Sequence, residues 1–409
     1  MDQLGLALRT AYPQALATLT RLLGGLDPAE EALQEASIRA LRTWSERGIP
    51  DSPAAWLVRA ARNYAIDAFR RHELERRHAG SVALFYQSEV NDGSASEHSD
   101  APFNDDLLRL IFTCCHPALP QEARIALTLK TIAGMTVEDI ARAFLITPTA
   151  MEQRLTRAKR RIREARIPYE VPSPDDLPLR LSAVLAVVYL TFNEGYLAAR
   201  GPDATRPELA TEAIHLGRIL ARLFRAEPEI TGLLALMLLQ HARIPARVDA
   251  AGDLIPLEDQ DRRLWDWAMI AEGRALAEKA LRHRRPGSYQ IQAAIAAVHS
   301  SARTAQETDW PQIAELYRLL EQHLPSPVVT LNRAVAVAKV AGAEAGLALL
   351  RTLEGTPEMR AYQHYHAALG ALLMDAGHLD QACAAFERAL ALTVNARERA
   401  FLQRRLDDL

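Results

Sequence analysis

The sequence predicts an all-α protein built from two small helical domains and a longer helical array. Apolar residues recur at spacings of three and four in nearly every segment, whereas the alternating pattern of strands is hard to find. An acidic segment and a segment with four prolines between Ile167 and Leu179 interrupt these helical patterns. The predicted parts are 1–87, a linker at 88–106, a second domain at 107–168 and a C-terminal domain at 175–409.

Composition is that of an ordinary globular protein, with 49% hydrophobic residues, 24% charged residues and a formal net charge of −3. No apolar run approaches the roughly 18 residues that span a bilayer, and the N-terminus has no signal-peptide pattern. We therefore expect a cytoplasmic protein with no membrane contact. Three cysteines are too few and too badly spaced for a disulfide framework or a four-ligand zinc site.

The segment 88–106 contains six carboxylates, no Lys or Arg and almost no apolar residue. Such a composition cannot bury enough apolar surface to offset the conformational entropy lost on folding. The pattern therefore predicts a flexible acidic linker between the two small domains.

A helix-turn-helix is predicted at 136–166. Thr147 precedes Pro148, which suits Thr147 to an N-cap and Pro148 to the first helical position. An apolar stripe follows at helical spacing, formed by Met151, Leu155, Ala158 and Ile162. Just upstream, "TVEDIARAF" has its own apolar stripe, with Thr136 as its cap. The second helix would place its first turns in a DNA major groove.

The second helix is also strongly basic, with seven Arg or Lys residues from Arg154 to Arg166. A solvated basic face is the usual explanation of such a helix. Here the short turn, the capped entry and the one-sided charge favour phosphate contacts. Three polar side chains could read base edges: Thr149, Gln153 and Thr156. Five basic side chains could read guanine or hold phosphates: Arg154, Arg157, Lys159, Arg160 and Arg161.

Two amphipathic helices are predicted in the first domain. In "DPAEEALQEASIRALRTW", we expect Ala32, Leu33, Ala36, Ala40 and Leu41 to face inward and Glu30, Glu31, Gln34 and Glu35 to face outward. The following "SPAAWLVRAARNYAIDAFRRHELERR" interleaves aromatic residues with arginines, as surfaces that bind single-stranded DNA do. The alternative is that Trp56 and Phe69 belong to the core.

"AEEALQEASIRALRTW" and "WLVRAARNYAIDAFRR" resemble region 2 of extracytoplasmic-function sigma factors of bacterial RNA polymerase, and "MTVEDIARAFLITPTAMEQRLTRAKRRIREA" resembles their region 4. The resemblance covers about residues 10–168, in the order of that family. The chain departs from the family pattern at Glu31, where Asp is frequent, and at Ala36 and Ser37, which replace a bulky residue.

The resemblance implies a function for each segment. The acidic helix with Glu30, Glu31, Gln34 and Glu35 would dock on the clamp of core RNA polymerase. The helix at 56–71 would recognise and help melt the −10 element of promoter DNA, through Trp56, Arg59, Arg62, Asn63, Arg70 and Arg71. The helix from Pro148 would bind the −35 element, and the linker could occupy the nucleic-acid channel of the polymerase. No catalytic residue, metal or cofactor is implied.

The C-terminal domain contains paired helical segments, of which the last two pairs align with each other. Gly342 and Gly377 occupy matching turns 35 residues apart, close to the 34-residue tetratricopeptide period. The pattern predicts a tetratricopeptide-like solenoid that resembles the extension of one sigma-factor subgroup. A regulatory protein or ligand bound to this domain is the functional interpretation, and a purely stabilising domain is the alternative.

Two polar clusters are weaker candidates for a functional site. "CCHP" at 114–117 offers two thiols and an imidazole, but it follows an apolar helix and predicts buried structural thiols. "FNEGY" at 192–196 combines Asn193 and Glu194, but Gly195 after an apolar helix is typical of a helix end.

Two other classes of protein remain possible from the sequence. A ligand-responsive helix-turn-helix regulator would bind an operator without polymerase, but this leaves "AEEALQEA" and the aromatic and arginine-rich helix unexplained. A pure interaction scaffold leaves the basic helix unexplained.

Overall fold

The computed structural model describes residues 3–77, 101–144, 146–196, 207–249, 254–393, 395–407 and 409. All regular elements of these residues are helices, and the one β-type pairing among them is a single bridge between Val248 and Leu254. The expected all-α class is confirmed. The chain divides into two compact units, 1–187 and 188–409.

The first unit begins with three mutually packed helices, namely α1 (Gln3–Leu23), α2 (Leu26–Arg47) and α3 (Pro53–Arg77). Four shorter helices follow, namely α4 (Ala101–Cys114), α5 (Gln121–Thr131), α6 (Val137–Ala143) and α7 (Pro148–Glu164). Helix α4 packs against α1, and α5 and α6 pack against α7. Both small domains therefore lie in one compact unit.

The last residues of the linker predicted at 88–106 belong to a helix. Residues 88–100 lie outside the described residues, but 101–106 already belong to α4. Asp106 is buried, and the Arg21 side chain on α1 donates a hydrogen bond of 2.9 Å to its carboxylate. A partner 85 positions away in sequence stabilises this charge, so the carboxylate belongs to a packed helix rather than to a linker.

The helix-turn-helix is present as predicted. The Thr136 hydroxyl accepts a hydrogen bond from the Asp139 backbone amide at the start of α6, and the Thr147 hydroxyl accepts one from the Ala150 amide. Pro148 occupies the first position of α7, and Met151, Leu155 and Ala158 are buried. The two caps satisfy backbone amides at the starts of α6 and α7, and the buried side chains pack α7 against the unit.

Helix α8 (Leu177–Tyr196) follows the proline-rich segment. By length and composition it could cross a membrane, which the sequence-based expectation did not allow for, and 39% of its most apolar stretch is buried. Its buried residues include Val184, Val188 and Phe192, at the four-residue spacing of a core helix. The sequence predicted a helix end at Gly195, and the described part of α8 ends one residue later, at Tyr196.

The second unit continues with eleven further α-helices in the described residues. The first five are α9 (Pro207–Leu223), α10 (Pro228–His241), α11 (Trp267–Leu281), α12 (Ser288–Ser301) and α13 (Trp310–His323). The others are α14 (Pro327–Ala341), α15 (Ala343–Arg351), α16 (Pro357–Arg360), α17 (Gln363–Asp375), α18 (Leu379–Leu392) and α19 (Ala396–Asp407). Consecutive helices from α9 to α15 pack in sequence order, as in a helical repeat array.

The two aligned repeats are helix pairs of the same design. Gly342 joins α14 to α15 with φ 90°, and Gly377 lies in the turn between α17 and α18 with φ 80°. Gly370 lies against the Phe386 ring, where an added Cβ would meet ring atoms at 3.0 Å. Left-handed turns and small residues at the crossings allow each pair to pack closely.

Candidate nucleic-acid interface

Helix α7 presents an exposed polar and basic face. Four exposed side chains lie along one line of this helix, at spacings of four, three and four: Thr149, Gln153, Thr156 and Arg160. Arg157 and Arg161 form an exposed row beside them. The buried stripe of Met151, Leu155 and Ala158 holds the helix to the rest of the unit, so this face is directed to solvent.

Arg154 does not belong to that exposed face. Its guanidinium lies 3.1 Å from the Glu122 carboxylate on α5 and 5.4 Å from the centre of the Phe144 ring in the turn before α7. These two contacts hold the side chain against the helix-turn-helix. Arg154 is therefore placed to stabilise the helix-turn-helix, whereas the sequence analysis grouped it with the side chains that would contact DNA.

Lys159 is also directed away from the exposed face. Its ammonium lies 2.5 Å from the Glu30 carboxylate and 3.2 Å from that of Asp27, both on α2. Arg163 pairs with Asp27 as well. Burial lowers the pKa of Lys159, but the two carboxylates outweigh this effect and the net shift is upward. The structure thus brings together Glu30 and Lys159, which the sequence assigned to two different partners.

The outward face of α2 is partly apolar. Glu31, Gln34 and Glu35 are exposed as predicted. Leu41, predicted to face inward, is 49% exposed, and Ile38 is also exposed. At the 3.6-residue period of a helix, positions 34, 38 and 41 fall on one side, so the two apolar side chains extend the acidic surface. The amphipathic pattern placed Leu41 inside, because it lies next to buried Ala40 at the border of the apolar side.

Helix α3 carries a second exposed polar face. Four exposed side chains recur at spacings of three, one and seven, which places them on one side of the helix: Arg59, Arg62, Asn63 and Arg70. Ile66 and Phe69 are exposed next to them, at 40% and 49%. The side chain of Arg71 lies outside the described residues.

Trp56, at the start of α3, is partly exposed. Its ring lies edge-on to Trp44 of α2, with 5.4 Å between the ring centres. One part of the indole therefore contributes to packing between α2 and α3, and the remainder is accessible.

Cys114 and Cys115 are buried structural thiols, as the sequence predicted. Their sulfurs lie 3.2 Å from the Thr131 hydroxyl and 3.4 Å from the Thr128 hydroxyl. Burial raises the pKa of both thiols, to about 11 for Cys115. Within the described ranges, no group of three His, Cys, Asp or Glu side chains could hold a metal ion.

Family comparisons match three segments of the chain. Sigma-70 region 2 matches residues 8–75, and sigma-70 region 4 matches residues 109–162. A family of unknown function (DUF6596) matches residues 180–281.

The uncharacterized protein R00370 of Rhizobium meliloti is 50% identical over 404 residues, which are 99% of this chain and 95% of that protein. The probable ECF RNA polymerase sigma factor SigI of Mycobacterium tuberculosis is 28% identical over 151 residues, 36% of this chain and 50% of that protein. The same protein from a second strain matches equally. No solved structure matches.

Proposed function

The chain belongs to the sigma-70 family of RNA polymerase sigma factors, in the extracytoplasmic-function class with a helical C-terminal extension, and we propose that it directs bacterial core polymerase to specific promoters in the cytoplasm. Its sigma-70 regions assign it to transcription initiation. The observation that carries the proposal is the exposed polar and basic face of α7, on a helix-turn-helix that coincides with region 4.

In this proposal, α7 binds the −35 element. Thr149, Gln153 and Thr156 are exposed side chains with donors and acceptors, and they are suited to base edges in the major groove. Arg157, Arg160 and Arg161 lie beside them and would contact phosphates or guanine. Arg154 and Lys159 would act differently, because intramolecular carboxylates already hold them.

Helix α3 would bind the −10 element and help to open it. Arg59, Arg62, Asn63 and Arg70 offer charge and hydrogen bonds to a single strand. The exposed apolar surface of Ile66 on the same helix offers contact to an unstacked base. The accessible part of Trp56 lies one turn before Arg59 and Arg62, where it could stack on a base.

Core polymerase would bind the outward face of α2. Glu31, Gln34 and Glu35 supply its polar part, and exposed Ile38 and Leu41 supply apolar area that would be buried in the complex. Glu30 lies at the edge of this face and is only partly accessible, because Lys159 covers it.

In the free protein, the ion pairs between α2 and α7 would hold these two helices together, and we call this the closed arrangement. Asp27 and Glu30 engage Lys159 and Arg163, so these side chains are not available to polymerase or promoter DNA while the pairs remain. Binding of α2 to the polymerase would release α7. Free sigma factor should therefore bind duplex promoter DNA weakly, and its affinity should rise in the complex with core.

The C-terminal domain would regulate this activity, through a bound protein or ligand. Its stacked helix pairs expose a large surface, and it contains more than half of the chain, 188–409. Removal of 188–409 should change promoter-dependent transcription in a purified system. Residues through Val187 would be kept, because the Arg180 guanidinium donates a 2.8 Å hydrogen bond to the Phe112 carbonyl within the first unit. Unchanged transcription would contradict this regulatory role.

Binding to core polymerase tests the assignment of α2. Glu35→Ala should weaken the binding of the full-length protein to purified core by several-fold in a pull-down or titration. Glu46→Ala is the matched control, because Glu46 is exposed on the same helix but lies about three turns further on. Equal binding of both variants would contradict the proposed surface, and circular dichroism should show unchanged helix content in each.

A further inference from the structure

A pocket of about 400 Å³ lies within the second unit, formed by the end of α8, residues 243–247 and 254–260, and helices α17 and α19. A volume of this size suits a small organic molecule. The residues that matter most to its chemistry are Tyr196, Arg243 and Arg247 on one side and Gln363, His364 and Glu398 on the other.

Two guanidinium groups converge on one tyrosine in this pocket. Arg243, only 8% exposed, donates a hydrogen bond of 3.2 Å to the Tyr196 hydroxyl. The Arg247 guanidinium carbon lies 4.0 Å from the centre of the Tyr196 ring. Among the described residues, the buried Nε–H groups of both arginines have no hydrogen-bond acceptor, and neither guanidinium forms an ion pair with a lining carboxylate of the pocket.

Within the described part of the site, these two guanidinium groups therefore lack a paired anion. Buried cations in proteins are normally paired with an anion, since desolvation of an unpaired charge is costly. The effect on Tyr196 shows the strength of the local field: burial raises the pKa of its hydroxyl, but Arg243 and Arg247 outweigh burial and lower it overall. The site therefore favours negative charge.

The rest of the pocket limits what the anion can be. Apolar side chains cover much of the wall, including Leu254, Ile255, Leu257, Phe401 and Leu402. The Glu398 carboxylate lies in the wall as well, where it accepts a hydrogen bond from the Gln363 amide. A ligand with a second negative charge near Glu398 would be repelled, whereas an apolar body would be accommodated.

We propose that this pocket binds a small organic monoanion with an apolar body, its acidic group held by Arg243 and Arg247. A carboxylate or sulfonate group would meet the guanidinium donors by charge-assisted hydrogen bonds. The site lies wholly within 188–409 and is tested by binding, so its test is independent of the proposed sigma-factor activity.

The probe for the test is 8-anilinonaphthalene-1-sulfonate, an aromatic monoanion whose fluorescence rises in an apolar site. Titration of the full-length protein should give one saturable site. Arg247→Gln should weaken binding by about tenfold or more, because a charge-assisted contact is lost. Arg247→Lys keeps the charge and should retain most of the affinity. The matched control is Arg318→Gln, an exposed arginine on α13 that pairs with Glu315.

Competition with other ligands shows whether binding requires the negative charge of the probe, its apolar body or both. Octanoate should displace the probe, whereas neutral octyl glucoside and inorganic phosphate should displace it poorly. Arg243→Gln would test the second guanidinium, but Arg243 is buried and its replacement could cause misfolding. The test therefore relies on the Arg247 variants. Three results would each overturn the proposal: absence of saturable binding, equal affinities of Arg247→Gln and Arg318→Gln, or equal displacement by octanoate and octyl glucoside.

Discussion

The Lys159 ammonium lies 2.5 Å from the Glu30 carboxylate, so a side chain of the proposed −35 helix is paired with one on the proposed polymerase-binding helix. Both side chains are largely covered, at 18% and 20% exposure. Asp27 adds contacts to Lys159 and Arg163. These ion pairs couple the two proposed binding surfaces within one unit, and they lead to the first prediction.

Asp27→Asn should favour release of α7 from α2. The change removes the Asp27 contacts to Lys159 and Arg163 but leaves Glu30 in place. Since ion pairs near the surface contribute about 0.2–1 kcal/mol each and two are lost, the affinity of the free protein for duplex −35 DNA should rise by up to about thirtyfold. Fluorescence anisotropy with a labelled duplex measures this effect.

The control for Asp27→Asn is Glu164→Gln, which also removes one negative charge near α7. Glu164 pairs only with Arg160 on its own helix, at 3.6 Å, among the ion pairs of the described residues. An equal rise in both variants would indicate a general charge effect, and the closed arrangement would then play no part in DNA affinity.

Arg157→Ala should weaken −35 recognition in the complex with core polymerase. The side chain is exposed on α7 and has no ion-pair partner among the described residues. Loss of a base contact should lower affinity about tenfold, and loss of a phosphate contact should reduce the slope of affinity against salt by about one. Arg154→Ala should instead lower the melting temperature, because Arg154 contacts Glu122 and Phe144.

Arg62→Ala should impair opening of the −10 region. The side chain is exposed on the polar face of α3, where it would hold a separated strand. Transcription from a duplex promoter should fall several-fold relative to the wild type. On a template with a pre-opened −10 bubble, the difference between the variant and the wild type should be smaller. Arg282→Ala, an exposed change in the second unit, should alter neither reaction. Equal losses on both templates would show that Arg62 does not assist opening.

His299 should make the second unit acid-sensitive. Burial and the nearby charges of Arg243 and Arg262 lower its pKa to about 4, against about 6.5 in the unfolded chain. The unfolded state binds the proton first, so this stability is complete above pH 6.5 and is lost as pH falls towards 4, by up to about 3 kcal/mol.

Chemical denaturation at pH 7 and pH 5 checks this effect. His299→Gln should lose less stability between the two pH values than the wild type does. His323→Gln, at an exposed position, should behave as the wild type. Identical pH dependence of the wild type and His299→Gln would contradict the assignment.

Gly346→Ala should destabilise the first of the two aligned helix pairs. An added Cβ would lie 2.7 Å from the Ala338 Cβ and 2.8 Å from the Ala334 carbonyl oxygen, so α14 and α15 would have to separate. Overpacking of this kind costs about 1–3 kcal/mol. Gly5→Ala on α1 has no atom within 4 Å of the new methyl group and should be neutral or slightly stabilising. Thermal unfolding of both variants distinguishes these outcomes.

Local sequence signals predicted the features that depend on neighbouring residues. The caps at Thr136 and Thr147 and the matching turns at Gly342 and Gly377 are determined by residues only a few positions apart, so the sequence revealed them. The start of α4 was missed, because the partner of Asp106 is Arg21, far away in sequence. Leu41 was assigned to the wrong side, because helical spacing does not show which parts of an apolar side remain uncovered.

The pocket of the second unit had no sequence signal. Tyr196 and Arg243 are 47 positions apart and meet only through packing of the helices that carry them. The sequence read Gly195 only as a helix end, and nothing in it indicated that Tyr196, the next residue, contacts the two arginines. Sites assembled from distant segments in this way require the tertiary structure.

Run-off transcription tests the central claim most directly. Purified bacterial core polymerase would be supplied with the full-length protein and a library of upstream fragments from the source genome. A sigma factor predicts initiation from a subset of fragments that share −35 and −10 sequences, only when both proteins are present. Tight binding to such fragments without core, and no effect on transcription with it, would contradict the proposed function and indicate an operator-binding regulator.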